Sequence, residues 1–126
     1  MSENKLIATV RRVSPLANVI DTQGEISSFS EKSLMDAYAE AIQDNKRTVI
    51  FNFTDVTYIN SFGIGMLITL LIRARRENKN IVGYGLSEHY VKIFELTRLD
   101  QVIPLYSTQE IALAAAEPMD LPEREN

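Results

Sequence analysis

The chain has 126 residues, 45% of them hydrophobic and 24% charged, with a formal net charge of −4. That describes one ordinary globular domain able to bury a core, and excludes disordered and fibrous classes. The absence of cysteine and the single histidine, His89, exclude disulfides, thiolate metal sites and thiol catalysis and leave too little for a zinc or histidine-base enzyme, so no cofactor or metal is expected.

The N-terminal residues 1–5 lack the charged-then-apolar layout of a signal peptide. Residues 6–10 and 17–21 are short β-branched runs separated by Ser14-Pro15, which favours a turn, so an N-terminal antiparallel hairpin is expected, with Gly24 ending its second strand. Ser28 or Ser30 then caps a helix through Asp44, in which Leu34, Ala37, Tyr38, Ala41 and Ile42 recur at helical spacing. Residues 48–53 are dense in β-branched and aromatic side chains, as suits a central strand buried on both faces.

A helix follows over 61–78, whose apolar run at 64–72 is far shorter than the ~20 residues needed to cross a bilayer. No membrane insertion is expected, and a cytoplasmic location is the default. Residues 80–85 read as a strand, and 87–96 as a short helix capped by Ser87. Residues 101–106 read as a last strand at an edge, because Pro104 cannot donate to a ladder. A final helix spans 108–116. The order ββαβαβαβα implies an α/β fold with a mixed, mainly parallel sheet over residues 1–116. The charged, two-proline tail at 117–126 is expected to be disordered.

Enzyme signatures are missing. No phosphate loop, dinucleotide-binding glycine pattern or serine-nucleophile elbow occurs, and Asp21, Glu25 and Asp55 are poorly spaced for a phospho-aspartate site. An enzyme is not expected. Arg73, Arg75 and Arg76 amount to one solvated helical turn, so no nucleic-acid partner is expected either.

The strand-to-helix junction at 55–65 is more informative. Ser61 stands where the chain leaves the sheet, with Gly63 and Gly65 behind it. A serine there is a favoured helix cap. It is also a place where a phosphate would be welcomed by the helix dipole, with Gly63 allowing close backbone approach, although local sequence alone favours the cap. At about 100° per residue, Ile64, Leu67, Ile68 and Leu71 form the expected core stripe, and Phe62, Met66, Thr69, Arg73 and Arg76 face away. That outward set is either covered by neighbouring loops or is a docking face with apolar anchors and a basic rim.

With this order of elements and the turn Asn60-Ser61-Phe62-Gly63, the chain resembles the STAS-domain anti-sigma factor antagonists over residues 5–116. Gly24-Glu25-Ile26-Ser27 and the segment 94–103 match less specifically. The resemblance implies partner switching. An anti-sigma factor that is also a serine kinase, of the histidine-kinase-like ATPase type, would bind the unphosphorylated chain and phosphorylate Ser61, and a PP2C-type serine phosphatase would reset the cycle. It assigns partner contact to Asn60, Ser61, Phe62, Gly63, Met66, Thr69, Arg73 and Ser27. The family often has aspartate where Asn60 and Ser27 stand and a small residue where Phe62 stands, so here the phosphate itself must supply nearly all the repulsion that ejects a partner. The alternative is a constitutive STAS interaction module, part of a transporter or signalling complex, without phosphorylation.

Overall fold

Strand β1 (Leu6–Arg12) pairs antiparallel with β2 (Ala17–Ile26) in the computed structural model, which describes residues 5–119. Helix α1 (Glu31–Ala41), strand β3 (Thr48–Ile59), helix α2 (Ser61–Arg76), strand β4 (Asn80–Tyr84), helix α3 (Glu88–Leu96), strand β5 (Leu105–Tyr106) and helix α4 (Gln109–Met119) follow. The five strands lie in the order β1-β2-β3-β4-β5, and every pair after the hairpin is parallel. This is the mixed α/β sheet that the alternating pattern implied.

Alternation along the central strands builds two cores. Ile20, Val49, Phe51, Phe53 and Ile81 pack with α1, α2 and α3 on one face, and Val19, Ile50 and Val82 pack with Ala112 of α4 on the other. Successive side chains of a strand point to opposite faces, so a doubly covered strand must be apolar throughout. Phe51 stacks on Phe53 at 5.6 Å, and Phe53 meets Phe94 edge-on at 6.4 Å.

Several boundaries differ from expectation, each for a local reason. Gly24 does not end β2. It sits inside the strand at φ +110, where an added Cβ would collide with the Lys5 carbonyl, and the ladder to β3 shifts register on either side of it. Ser30 stands at the cap position of α1 but its side chain makes no capping bond to that helix; the capping bonds belong to the 3-10 turn Ser28–Ser30 before it, whose cap is Ser27. Its hydroxyl accepts from the Phe29 N–H at 3.2 Å while the Ser30 hydroxyl accepts from the Ser27 N–H at 2.9 Å, a reciprocal capping box. Helix α1 stops at Ala41 because Asp44 and Asn45 turn left-handed, at φ 63 and 60.

Helix α2 stops at Arg76. Left-handed Asn78 lets the Lys79 N–H reach the Ala74 carbonyl at 2.8 Å and its own N–H reach Arg75 at 3.2 Å, a Schellman closure. The last strand is only Leu105–Tyr106, because residues Leu99–Gln101 form a 3-10 turn instead. Helix α4 runs past the expected Ala116 to Met119. The remainder of the tail expected to be disordered lies outside the described residues.

A polar row crosses the sheet at the start of α4. Arg11 donates to the Asp21 carboxylate at 2.5 and 2.9 Å and to Gln109 Oε1 at 2.8 Å, and Asn52 Nδ2 donates to Asp21 at 2.8 Å. The Arg11 hydrogen bond, helped by that from Asn52, outweighs burial and holds the Asp21 carboxyl below its usual range. A lowered folded-state value stabilises the fold above the ordinary carboxylate value of about 3.9, and that gain is lost as pH falls through the lowered one. We therefore expect Asp21→Asn to be less stable than the wild type at neutral pH in urea unfolding, with the gap narrowing below about pH 4. A gap independent of pH would contradict the assignment.

Candidate functional site

The site is built where β3 ends and α2 begins. Two bonds from backbone N–H groups fix the exit: the Ile59 N–H donates to the Tyr90 side-chain Oη at 3.0 Å and the Asn60 N–H donates to the Ile26 carbonyl at 3.2 Å. Asn60 is extended (φ −98, ψ −179), and its Oδ1 accepts from the Gly63 N–H at 2.8 Å. Asn60 is therefore the cap, and the reading of Ser61 as the cap does not hold. Ser61 occupies the first helical position, exposed, and its hydroxyl makes no hydrogen bond among the described residues.

Gly63 is buried against the end of β2. A Cβ on it would collide with the Ile26 carbonyl oxygen, at a separation no side chain tolerates. Its close approach is thus to the protein's own sheet rather than to an anion. This contact also sets the rotation of α2 about its axis. The buried stripe is Gly63, Leu67, Leu70, Leu71 and Ala74, so the expected stripe through Ile64 and Ile68 is displaced. Ile64 is half-buried, and Ile68 is 40% exposed.

The outward face changes accordingly. Ser61, Gly65, Ile68 and Ile72 share it, flanked by Phe62 and Thr69; Phe62 is 66% and Ile72 49% exposed. The Thr69 hydroxyl donates to the Gly65 carbonyl at 2.9 Å. Met66 is half-buried and packs against the main core. Arg73 is also half-buried, with its guanidinium 4.8 Å over the Tyr38 ring and Nε 3.5 Å from Glu77. Tyr38 in turn donates to Glu77 at 2.8 Å; burial, then that bond, raises its phenol above the usual range. Ser27 is 4% exposed and spent on its capping box, so it shapes this surface from beneath.

Sequence reasoning missed two exposed aromatic residues near the junction. Phe29, 75% exposed, stands in the 3-10 turn that packs against α2, and Tyr58, 48% exposed, lies just before the junction. A lone aromatic among serines has no periodicity to reveal it. The charge pattern of α2 is one-sided: no acidic residue in the first turn and Arg73, Arg75 and Arg76 in the last. That places the nearest helical cation ~18 Å along the axis from Ser61, twelve residues at 1.5 Å each. A phosphate on Ser61 would rest on the first-turn N–H groups, with no arginine of its own helix to neutralise it.

The STAS domain family profile matches residues 8–112. The chain belongs to the STAS domain family. The anti-sigma-B factor antagonist of Staphylococcus aureus (strain NCTC 8325 / PS 47) is 24% identical over 88 residues, covering 70% of this chain and 82% of the relative. Among solved structures, an anti-sigma factor antagonist from Mycobacterium paratuberculosis superposes with a TM-score of 0.73 at 22% identity, covering 92% of this chain and 97% of that one. The Bacillus cell fate determinant SpoIIAA in its phosphorylated form superposes at 0.65 with 20% identity, covering 86% and 98%. These structural likenesses establish the fold. No helix among the described residues is long and apolar enough to cross a membrane.

The two glycines of the junction make opposite predictions. Gly63→Ala must displace the Ile26 carbonyl, and a loss of about 1–3 kcal/mol is expected from overpacking. Gly65 has nothing within 4 Å of a built Cβ, so Gly65→Ala should be neutral or stabilising by up to about 1 kcal/mol in the helix interior. Urea unfolding of the two variants checks both. Equal losses would contradict the seating of α2 on the end of β2.

Proposed function

We propose that this protein is an anti-sigma factor antagonist that works by partner switching. Unphosphorylated, it binds an anti-sigma factor that is also a serine kinase of the histidine-kinase-like ATPase type. The contact is the outer face of α2 with Phe29. The kinase phosphorylates Ser61 and the complex separates; a PP2C-type serine phosphatase restores the binding form. One observation carries this reading: the Ser61 hydroxyl is exposed and uncommitted, because Asn60 does the capping, and it stands among uncovered Phe62, Ile68 and Ile72.

The physics of the switch follows from that setting. Phe62, Ile68 and Ile72 gain by being dehydrated against a partner. A phosphate at Ser61 adds about 1.5–2 negative charges to the middle of that surface, and burying them without a paired cation is strongly unfavourable. The helix dipole welcomes the same charge on the free protein, so phosphorylation leaves the host folded and acts on the complex. Neither Asn60 nor Ser27 carries a charge, so the phosphate is the main source of repulsion. The names of the relatives support the class of partner. SpoIIAA has been solved in phosphorylated and unphosphorylated forms, which supports a fold that accommodates a phosphate.

The test is a pull-down of the anti-sigma partner with wild type, Ser61→Ala, Ser61→Asp and Phe62→Ala, alongside mass spectrometry of the protein from its own cells for a single ~80 Da adduct on Ser61. Ser61→Ala should bind and resist modification. Ser61→Asp should weaken the complex by about tenfold or more, and Phe62→Ala by about 1–2 kcal/mol. Undiminished binding by Ser61→Asp would sink the switch and leave a constitutive interaction module.

A further inference from the structure

We propose that the cleft at the C-terminal end of α2 binds a phosphorylated small molecule. This site lies at the far end of the helix from Ser61, ~20 Å away at 1.5 Å per residue, and does not rest on the partner-switching reading. The cleft has a volume of about 780 Å³, within the ~300–1,000 Å³ typical of small-molecule sites. Three cations line it, Arg47, Arg75 and Lys79, with the amides Asn78, Asn80 and Gln101 between them, and no carboxylate among the described residues does. Leu71 and Val102 add apolar wall.

Cations at a helix C-terminus often do no more than offset its dipole. Two observations go beyond that. Three of the last four carbonyls of α2 are already met by backbone: Glu77 N–H to Arg73, Lys79 N–H to Ala74 and Asn78 N–H to Arg75. And Arg47 does not belong to this helix: it precedes β3 and is brought to the cleft by the parallel pairing of Thr48 with Asn80 and by the Asn80 N–H donating to the Arg47 carbonyl at 2.8 Å. The guanidinium groups of Arg47 and Arg75 have no hydrogen bond or ion pair among the described residues. Lys79 Nζ gives one bond to the Lys46 carbonyl at 2.7 Å and keeps two donors.

Such a set suits a phosphoryl group. Its oxygens match the guanidinium fork, its charge of about −1.5 to −2 at neutral pH answers three cations, and a concave wall concentrates their field even though the chain as a whole is acidic. The apolar wall leaves room for the organic body of a phosphate ester.

Isothermal titration calorimetry with two probes tests this, inorganic pyrophosphate and phenyl phosphate, in buffers of matched ionic strength. Saturable one-site binding at submillimolar concentration is expected in at least one arm. Arg47→Gln and Arg75→Gln should each weaken it by about tenfold or more, while Lys92→Gln on α3 leaves it unchanged. Both arginines are exposed, and a thermal melt of each variant verifies folding. Tighter binding of phenyl phosphate identifies an organic ester as the ligand class; tighter binding of pyrophosphate identifies an inorganic phosphate. No saturable heat in either arm overturns the proposal, as does binding that both arginine variants retain in full.

Discussion

The seating of the first turn of α2 on the end of β2 governs the site. The Ile26 carbonyl receives the Asn60 N–H, and Gly63 lies so close to the same oxygen that no Cβ fits between them. That contact fixes where β3 stops and how α2 is rotated, and so which side chains face water. Asn60 caps, because it is extended just before the helix and its Oδ1 accepts from the Gly63 N–H. Ser61 is thereby released onto the first turn. Its hydroxyl is free because its neighbour satisfies the backbone.

The same rotation explains why the outer face of α2 is apolar. Core demand is met by Gly63, Leu67, Leu70, Leu71 and Ala74, which leaves Ile68 and Ile72 in water beside Phe62. A helix with this much uncovered apolar surface and no acidic residue in its first turn suits a partner better than solvent. Its chemistry changes along its length: a hydroxyl and aromatic rings at the start, arginines at the end. On the proposed readings the two ends would meet different ligands, a protein surface at the first and a phosphorylated molecule at the second.

Much of the architecture was legible in the sequence because it follows from periodicity. The double-sided apolar run of β3, the hairpin around Pro15 and the Ser87 cap all have local causes. The errors cluster where a non-local contact overrode a local preference. Gly24 reads as a strand end, yet the strand continues through it to pair Glu25 and Ile26 with the end of β3, and the near Lys5 carbonyl is why glycine stands there. Residues 101–104 read as strand by composition, yet the chain turns there after left-handed Arg98. Apolar periodicity points the core face of α2 through Ile64 and Ile68, but it gives glycine no weight, and Gly63 is the residue that must face the sheet. Of the expected partner contacts, Ser61, Phe62 and Thr69 are exposed. Met66 and Arg73 are half-buried, Ser27 and Gly63 are buried, and Phe29 and Tyr58 had no pattern to reveal them.

Partner switching on the outer face of α2 is tested most directly by the footprint of the anti-sigma partner on the protein, mapped by amide chemical-shift perturbation in the unphosphorylated and Ser61-phosphorylated forms. Perturbations are expected on Phe29, Ser61, Phe62, Gly65, Ile68 and Ile72 for the first form. Their loss is expected for the second, with the helical signals of α2 intact. A footprint on α3 or α4, or one that persists undiminished after phosphorylation, would contradict the switch.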